Sequence, residues 1–434
     1  MVIIGGGVIG LCVGYYAQRR GYRVTIVERG ERGDDSCSVG NAGMIVPSHF
    51  TPLAAPGMVA MGLKWMGSPE SPFYLKPRLD WDLLRWGLRF WRASTPERVR
   101  VAAPLIRDLS WASRECYEEL AERVGLVFGL EKRGLLMLSK TEKGHEEERR
   151  MAVKAVALGI SAEVLDGAGV ALLEPNITMD VVGGVYFSQD CHLSPNRFLE
   201  CLERAIDAGG GEWSYGADVL GWKKVGNKLG AVVTTKGEVE GDEFVLCGGA
   251  WSSELGKQLG LELPLQAGKG YALTLSEPRE MPKICAILTE ARVAVTPMGS
   301  GLRFGGTMEF SGLHGEIDPR RVRGIIRAAP KYYPHFREED FEGIRPWSGL
   351  RPCSPDGLPY LGRVGNYANL VVATGHAMMG LSLGPITGKL VADILSGVEP
   401  KIGLGLLDPD RFMGRRRRYP VNLIKGSLKK GSGS

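Results

Sequence analysis

The sequence predicts an α/β protein in which a parallel-sheet nucleotide-binding unit is combined with an antiparallel α+β domain. Three observations predict it. Residues Val2–Glu28, VIIGGGVIGLCVGYYAQRRGYRVTIVE, read as strand, glycine turn, helix and strand. Two more glycine-rich strand ends, Cys247–Ala250 and Thr374–Gly380, follow far downstream. Between them Tyr271–Leu275, Arg292–Pro297 and Leu302–Met308 are alternating or apolar runs suited to an antiparallel sheet.

The opening unit carries Gly5, Gly7 and Gly10 as G-x-G-x-x-G. The first glycine permits the tight turn, the second lets backbone approach a pyrophosphate, and the third packs helix close to strand. The helix N-terminus offers free N–H groups to phosphate oxygens. Glu28 ends the second strand eighteen residues after Gly10, where a carboxylate can accept hydrogen bonds from a ribose. A bare glycine turn would not need that context of strand, helix and acid. Parallel sheets bind ligands at the carboxyl ends of their strands. One long, two-part cofactor lying across all three glycine-rich ends accounts for their separation.

Further elements follow in order. After the loop GERGDDSCSVGNAGMIVPS comes an aromatic, basic region, Met58–Arg92. Within it Trp81, Leu84, Leu88 and Trp91 recur at helical spacing. Packing of that stripe on a core is the preferred reading over a membrane contact. Pro104–Val124, Glu146–Leu158, Asp318–Tyr332 and Ile386–Leu395 are expected as helices, and Gly134–Lys140, Gly183–Ser188 and Leu370–Ala373 as strands. Ser194 is the expected N-cap of another helix, with Pro195 at its first position and Gly209–Gly211 as its stop.

Composition is that of an ordinary globular protein, 44% hydrophobic and 24% charged over 434 residues. The net charge of +5 resides in the last stretch. Arg415–Arg418, Lys425, Lys429 and Lys430 are unaccompanied by acids, and without them 47 basic residues face 49 acidic ones. A near-neutral body argues against a nucleic-acid groove. Eight cysteines show no metal-ligand spacing, and no metal is expected. Cys12 and Cys247 read as buried thiols, so a reducing, cytoplasmic setting is expected. No signal peptide is expected before a strand that starts at residue 2, and no run of 18 apolar residues is present.

Several segments together resemble the FAD-dependent D-amino acid oxidase/dehydrogenase superfamily, and are most similar to bacterial D-amino acid dehydrogenases. They are VIIGGGVIG…VTIVER, SVGNAGMIVP, PLAAPG, VLCGGAWS, AGKGYALTL, GLRPCSPDGLPYLG and ATGHAMMGLSLGP, spread in the family's order from Val2 to Leu395. The resemblance implies a Rossmann-type, glutathione-reductase-like FAD domain interleaved with an antiparallel-sheet substrate domain. The corresponding expected segments are 1–85, 145–260 and 345–414 for FAD, 86–144 and 261–344 for substrate, and 415–434 as a basic flexible tail.

The resemblance also implies site residues. Ser36 would help hold the pyrophosphate, and Asn41, Ala42, Gly43 and Met44 would pass beside the flavin ring. Val219 would meet the adenine, Gly248 would line the cofactor channel, and Gly375, His376, Gly380 and Leu381 would approach the flavin pyrimidine. Arg351, in GLRP, would clamp a substrate α-carboxylate, for which a guanidinium fork is suited. Tyr271 either offers an active-site hydroxyl or is a core tyrosine, and His49 stands where relatives carry a substrate-side tyrosine or histidine. Arg292 is either a cationic contact for substrate or a surface charge, the second reading being preferred.

The implied reaction is oxidation of an amino acid Cα–N bond by hydride transfer from Cα to flavin N5. The expected substrates are D-amino acids or a D-proline derivative such as hydroxyproline, giving a 2-oxo acid or a cyclic imine. FAD would be noncovalent, and a quinone or other acceptor would take the electrons, with a peripheral contact on the inner face of the cell membrane as a further expectation. A sarcosine- or glycine-type amine oxidase is the alternative within the class. An NAD-binding dehydrogenase is the alternative outside it.

Overall fold

The computed structural model describes residues 1–33, 36–65 and 70–414. The expected basic tail, 415–434, lies outside the described residues. Helices run over α1 Val8–Gln18, α2 Met58–Trp65, α3 Trp81–Ala93, α4 Pro96–Glu118, α5 Glu142–Ala157, α6 Gly167–Leu173, α7 Pro195–Ala208, α8 Ser252–Lys257, α9 Pro319–Tyr332 and α10 Gly380–Leu395.

Val2–Ile4 forms the middle of a six-stranded sheet. Thr25–Val27 and then Glu212–Ser214 extend it on one side, and Phe244–Leu246 and then Tyr367–Thr374 on the other, all parallel. Tyr360–Val364 closes one edge antiparallel. Strands covered on both faces need unbroken apolar runs, which VII, TIV and FVL supply. The α1 sequence is apolar on nearly every side, and the helix is packed accordingly between α7 and α10. Ala377–Leu395 is long and apolar enough to cross a membrane, but 67% of that window is buried, with α1 and α4 packed on α10. It is a core helix.

The larger sheet has nine strands, in the order Trp347–Cys353, Gln266–Leu275, Gly301–Phe310, Val293–Met298, Cys285–Leu288, Leu135–Ser139, Gly183–Phe187 and Glu163–Asp166, with Phe73–Leu75 beside Gly301–Phe310. Helix α9 covers one face, where Tyr271, Phe304 and Ile325 share an apolar cluster. The other face looks onto the smaller sheet's glycine-rich strand ends.

Three expectations are corrected. The domain segments differ: Glu163–Asp166 and Gly183–Phe187, expected in the FAD portion, belong to the nine-stranded sheet, as does Trp347–Cys353. Helix α4, expected in the substrate portion, packs on α10 in the core around α1. Each short strand carries no sign of which sheet it joins; long-range register decides. Ser194 makes no side-chain cap, although Pro195 does begin α7. Finally, the stripe on α3 points outward. Trp81, Leu84, Leu88 and Trp91 are 78%, 55%, 47% and 62% exposed. The face turned inward carries Leu83, Trp86 and Ala93, with the Trp86 indole donating to Cys353 O at 2.9 Å and stacked on Phe90. Helix α3 has two apolar faces, and periodicity alone could not say which one the sheet takes.

Candidate active site

The two sheets enclose a cavity of about 1600 Å³. One wall is the opening turn. Gly5 has φ +107°, and a Cβ on Gly10 would lie 1.9 Å from Gly5 O, so only glycine lets α1 start so close to the strand end. Val8 N–H donates to Ser38 Oγ at 3.0 Å, which ties the helix start to the following loop. Glu28 borders the cavity, and its two oxygens accept Gly6 N–H at 2.6 Å and Gly30 N–H at 2.9 Å. Its carboxylate thus braces the glycine turn as well as facing the cleft.

Ser36, Asn41, Ala42, Met44, Val219, Gly248, His376, Gly380 and Leu381 all line the same cavity, with Gly5 and Gly7. Gly10, Gly43 and Gly375 stand just behind its surface. Gly43 and Gly375 have φ +75° and +81°, and a Cβ would meet Leu193 O and the Tyr360 ring respectively. Arg303 reaches from the nine-stranded sheet to Val39 O at 2.9 Å and Asn41 O at 2.7 Å, so the loop is pinned between the two sheets. Trp347 lines the cavity against Gly40, where a Cβ would sit 2.0 Å from the indole. Its Nε1 and His376 Nδ1 are buried with no hydrogen-bond partner among the described residues. Burial lowers the His376 pKa to about 3 and keeps the ring neutral, with Nε2 on Thr387 Oγ1 at 3.0 Å. A glycine-lined channel with two unpaired N–H-capable rings fits a long dinucleotide whose polar ring edge needs partners.

The opposite wall is the nine-stranded sheet. Along Trp347–Cys353 the residues Trp347, Gly349 and Arg351 share one face. The Arg351 side chain lies flat across the neighbouring strand. A Cβ on Gly270 would be 2.1 Å from its Nη2, and Nη1 donates to Thr307 O, two strands away, at 2.7 Å. Among the described residues Arg351 has no carboxylate partner, and burial holds its pKa below the usual arginine value. Ala294 pairs with Gly305, giving a floor of small residues in the same cavity. Arg292, at φ 55°, lines it too and stands at the end of that strand.

Tyr271 borders the cavity, but its side chain is 1% exposed and its hydroxyl is engaged elsewhere, donating to Glu309 Oε2 at 2.7 Å. Alternation explains this: Gly270 faces Arg351, so Tyr271 is turned to the α9 side, with Lys269 and Glu309. Lys269 and Glu309 form a buried ion pair there at 3.4 Å.

His49 borders the cavity, with Nδ1 3.1 Å from Ser48 Oγ. Burial, assisted by the nearby Arg292 charge, lowers its pKa to about 4, so the imidazole is neutral at pH 7. Ser48, Asp190, Trp347, Thr307 and Gly270 escaped sequence reading. Alternation in WSGLRP could have found Trp347; nothing local marks Asp190.

The chain is similar over its length to known proteins. It is 31% identical over 425 residues to a D-amino acid dehydrogenase of Granulibacter bethesdensis, covering 95% of this chain and 100% of the relative. It is 30% identical over 424 residues to a D-amino acid dehydrogenase of Bradyrhizobium diazoefficiens, covering 96% and 99%. Among solved structures, glycine oxidase from Geobacillus kaustophilus matches with a TM-score of 0.76 and 25% identity, covering 95% of this chain and 98% of that one. An L-proline dehydrogenase from P. horikoshii shares the fold at a TM-score of 0.69 and 17% identity, covering 95% and 96%. The family model for FAD dependent oxidoreductases, DAO, matches residues 1–394. That match sets aside the NAD-binding alternative, and the chain, with its two-sheet cleft and glycine-lined channel, belongs to the DAO family of FAD dependent oxidoreductases.

Proposed function

We propose that this enzyme is a D-amino acid dehydrogenase, oxidising the Cα–N bond of D-amino acids or a D-proline derivative to a 2-oxo acid or cyclic imine. One observation carries the reading: the Arg351 guanidinium lies in the cavity over Gly270 with a backbone carbonyl as its protein partner and no counter-ion among the described residues. A desolvated fork of that kind suits a carboxylate, which it can grip bidentately. Relatives named D-amino acid dehydrogenases support the same substrate class. FAD, held noncovalently along the Gly5–Gly10 turn, Glu28 and the Ser36–Met44 loop, supplies the two-electron acceptor when bound.

The protein's own contribution is placement. Arg351 fixes the carboxylate end of the substrate. The small floor at Ala294 and Gly305 admits the Cα substituents, and neutral His49, bordering the same cavity, can accept a proton from the amine. Holding these groups together replaces a bimolecular search with one bound geometry. The likeness to glycine oxidase supports a second reading, a glycine- or sarcosine-type oxidase. A panel of D- and L-amino acids, proline derivatives and N-methyl glycine, run with a dye acceptor and with oxygen in parallel, separates the two. D-selective dye reduction with little peroxide supports the dehydrogenase. Peroxide formed from glycine or sarcosine at the dye rate supports the oxidase.

The proposed electron acceptor is a quinone, reached at the inner face of the cell membrane. The outward face of α3 supports this: Trp81, Leu84, Leu88 and Trp91 share it with exposed Arg85 and Arg92, which have no ion pair among the described residues. Aromatic ends, an aliphatic middle and unpaired cations suit an anionic lipid surface. The double variant Trp81→Gln/Trp91→Gln should lose flotation with anionic vesicles while reducing a soluble dye at the parent rate. A parent protein that stays off such vesicles at low salt contradicts the membrane reading.

A further inference from the structure

Behind His49 lies a buried acid that the reaction as described does not use. Asp190 is 1% exposed and sits just before the short strand Cys191–His192. Its Oδ1 accepts Ser48 N–H at 3.2 Å, and its Oδ2 accepts the Ser48 hydroxyl. The same hydroxyl oxygen is 3.1 Å from His49 Nδ1. His49 Nε2, the other ring nitrogen, has no protein partner among the described residues, and the ring borders the cavity. Three residues thus make a continuous line from the substrate cavity into the protein interior.

We propose that Ser48 and Asp190 are positioning residues that set the tautomer of His49 and carry a proton away from the substrate amine. A serine hydroxyl has one proton. While Asp190 is ionised, it takes that proton in a hydrogen bond, so Ser48 Oγ must accept from His49 Nδ1–H. Nε2 is then bare and can accept. An amino acid in neutral water carries an ammonium group, which must lose a proton before the nitrogen lone pair can assist oxidation. That proton passes to Nε2, the Nδ1 proton passes to Ser48 Oγ, and the Ser48 proton passes to Asp190 Oδ2. No charge is left on the ring, and the one proton lost by the substrate is held on the carboxyl.

The surroundings suit both ends of this line. Burial raises the Asp190 pKa to about 7, against the opposing pull of the two Ser48 hydrogen bonds and the Arg114 charge from α4. The thiols of Cys191 and Cys285 also face it, both themselves raised by burial. Arg292 disfavours a charged His49, and it also acts on Glu148 of α5, whose carboxyl burial raises against the Arg292 charge. A protonated imidazole is therefore a poor resting place, whereas Asp190 can hold a proton near neutral pH.

The relay rests on the amino-acid reading, but its first test needs no substrate. Nitrogen-15 spectra of histidine-labelled holoenzyme, with a His49→Gln control for assignment, report which ring nitrogen carries the proton. The expected result is an Nδ1–H tautomer above the Asp190 titration and an Nε2–H tautomer below it, with the switch between about pH 6 and 8. Asp190→Asn and Ser48→Ala should abolish the switch. In both, kcat/KM should fall on the order of tenfold to a hundredfold, below the 10²–10⁴ of a whole general base. The acid limb of its pH profile should move in Asp190→Asn. One His49 tautomer across the range in the parent, or an unmoved switch in the variants, would overturn the relay while leaving the amino-acid reading intact.

Discussion

The two walls of the cavity are built by different means. The wall beside the Gly5–Gly10 turn is written within one short stretch of chain: strand, turn, helix and Glu28 follow one another, and Glu28 folds back onto Gly6 and Gly30. The wall that carries Arg351 is assembled from four strands, Trp347–Cys353, Gln266–Leu275, Gly301–Phe310 and Val293–Met298, brought side by side by antiparallel register. The comparison teaches that a local motif fixes its own geometry, whereas a sheet face acquires its geometry from partners far away in sequence.

Changing one glycine in each wall exposes the contrast. Gly10→Val should have the largest effect, because its side chain meets rigid backbone 1.9 Å away at Gly5 O. Overpacking of this kind costs about 1–3 kcal/mol or more. The expected outcome is a colourless or poorly folded protein, read from flavin absorbance per chain and from Tm. Gly270→Ala should be milder for the fold, because its Cβ meets the mobile end of Arg351 at 2.1 Å. FAD content and Tm should stay near the parent values while kcat/KM drops at least about tenfold, since the displaced fork no longer matches the carboxylate. Equal loss of flavin in both variants would erase the distinction between the walls.

Tyr271→Phe should have the smallest kinetic effect. The hydroxyl serves Glu309 on the α9 side, so its loss removes one donor from a buried carboxylate that keeps Lys269. A stability loss of about 1–3 kcal/mol is expected, with kcat/KM within about twofold of the parent. A large fall in turnover at parent stability would return the hydroxyl to the active site.

What was legible follows the same division. The glycine turn was readable because its geometry depends on neighbours in the chain, whereas Arg351 was singled out by the resemblance of its GLRP motif and owes its place over Gly270 to distant strands. The partner of the Tyr271 hydroxyl was not readable, because GKGYALTL does not say which alternating face carries Glu309. The stripe Trp81, Leu84, Leu88 and Trp91 has clear helical spacing, but Leu83, Trp86 and Phe90 make a competing inward face. Asp190 gave no signal at all, since a lone acid in a loop becomes notable only when Ser48 and His49 are folded against it.

The central claim is that Arg351 holds the carboxylate of a D-amino acid beside FAD. Anaerobic mixing of enzyme with D- and L-amino acids, followed by the flavin absorbance, tests it directly. The parent enzyme should bleach with the D-enantiomer and not with the L-enantiomer. Arg351→Ala, yellow and folded, should bleach slower by roughly 30-fold to several thousand-fold in second-order rate, as expected for losing about 2–5 kcal/mol of desolvated pairing. Arg351→Lys should recover only part of that. Bleaching of Arg351→Ala by the D-enantiomer at the parent rate would contradict the account.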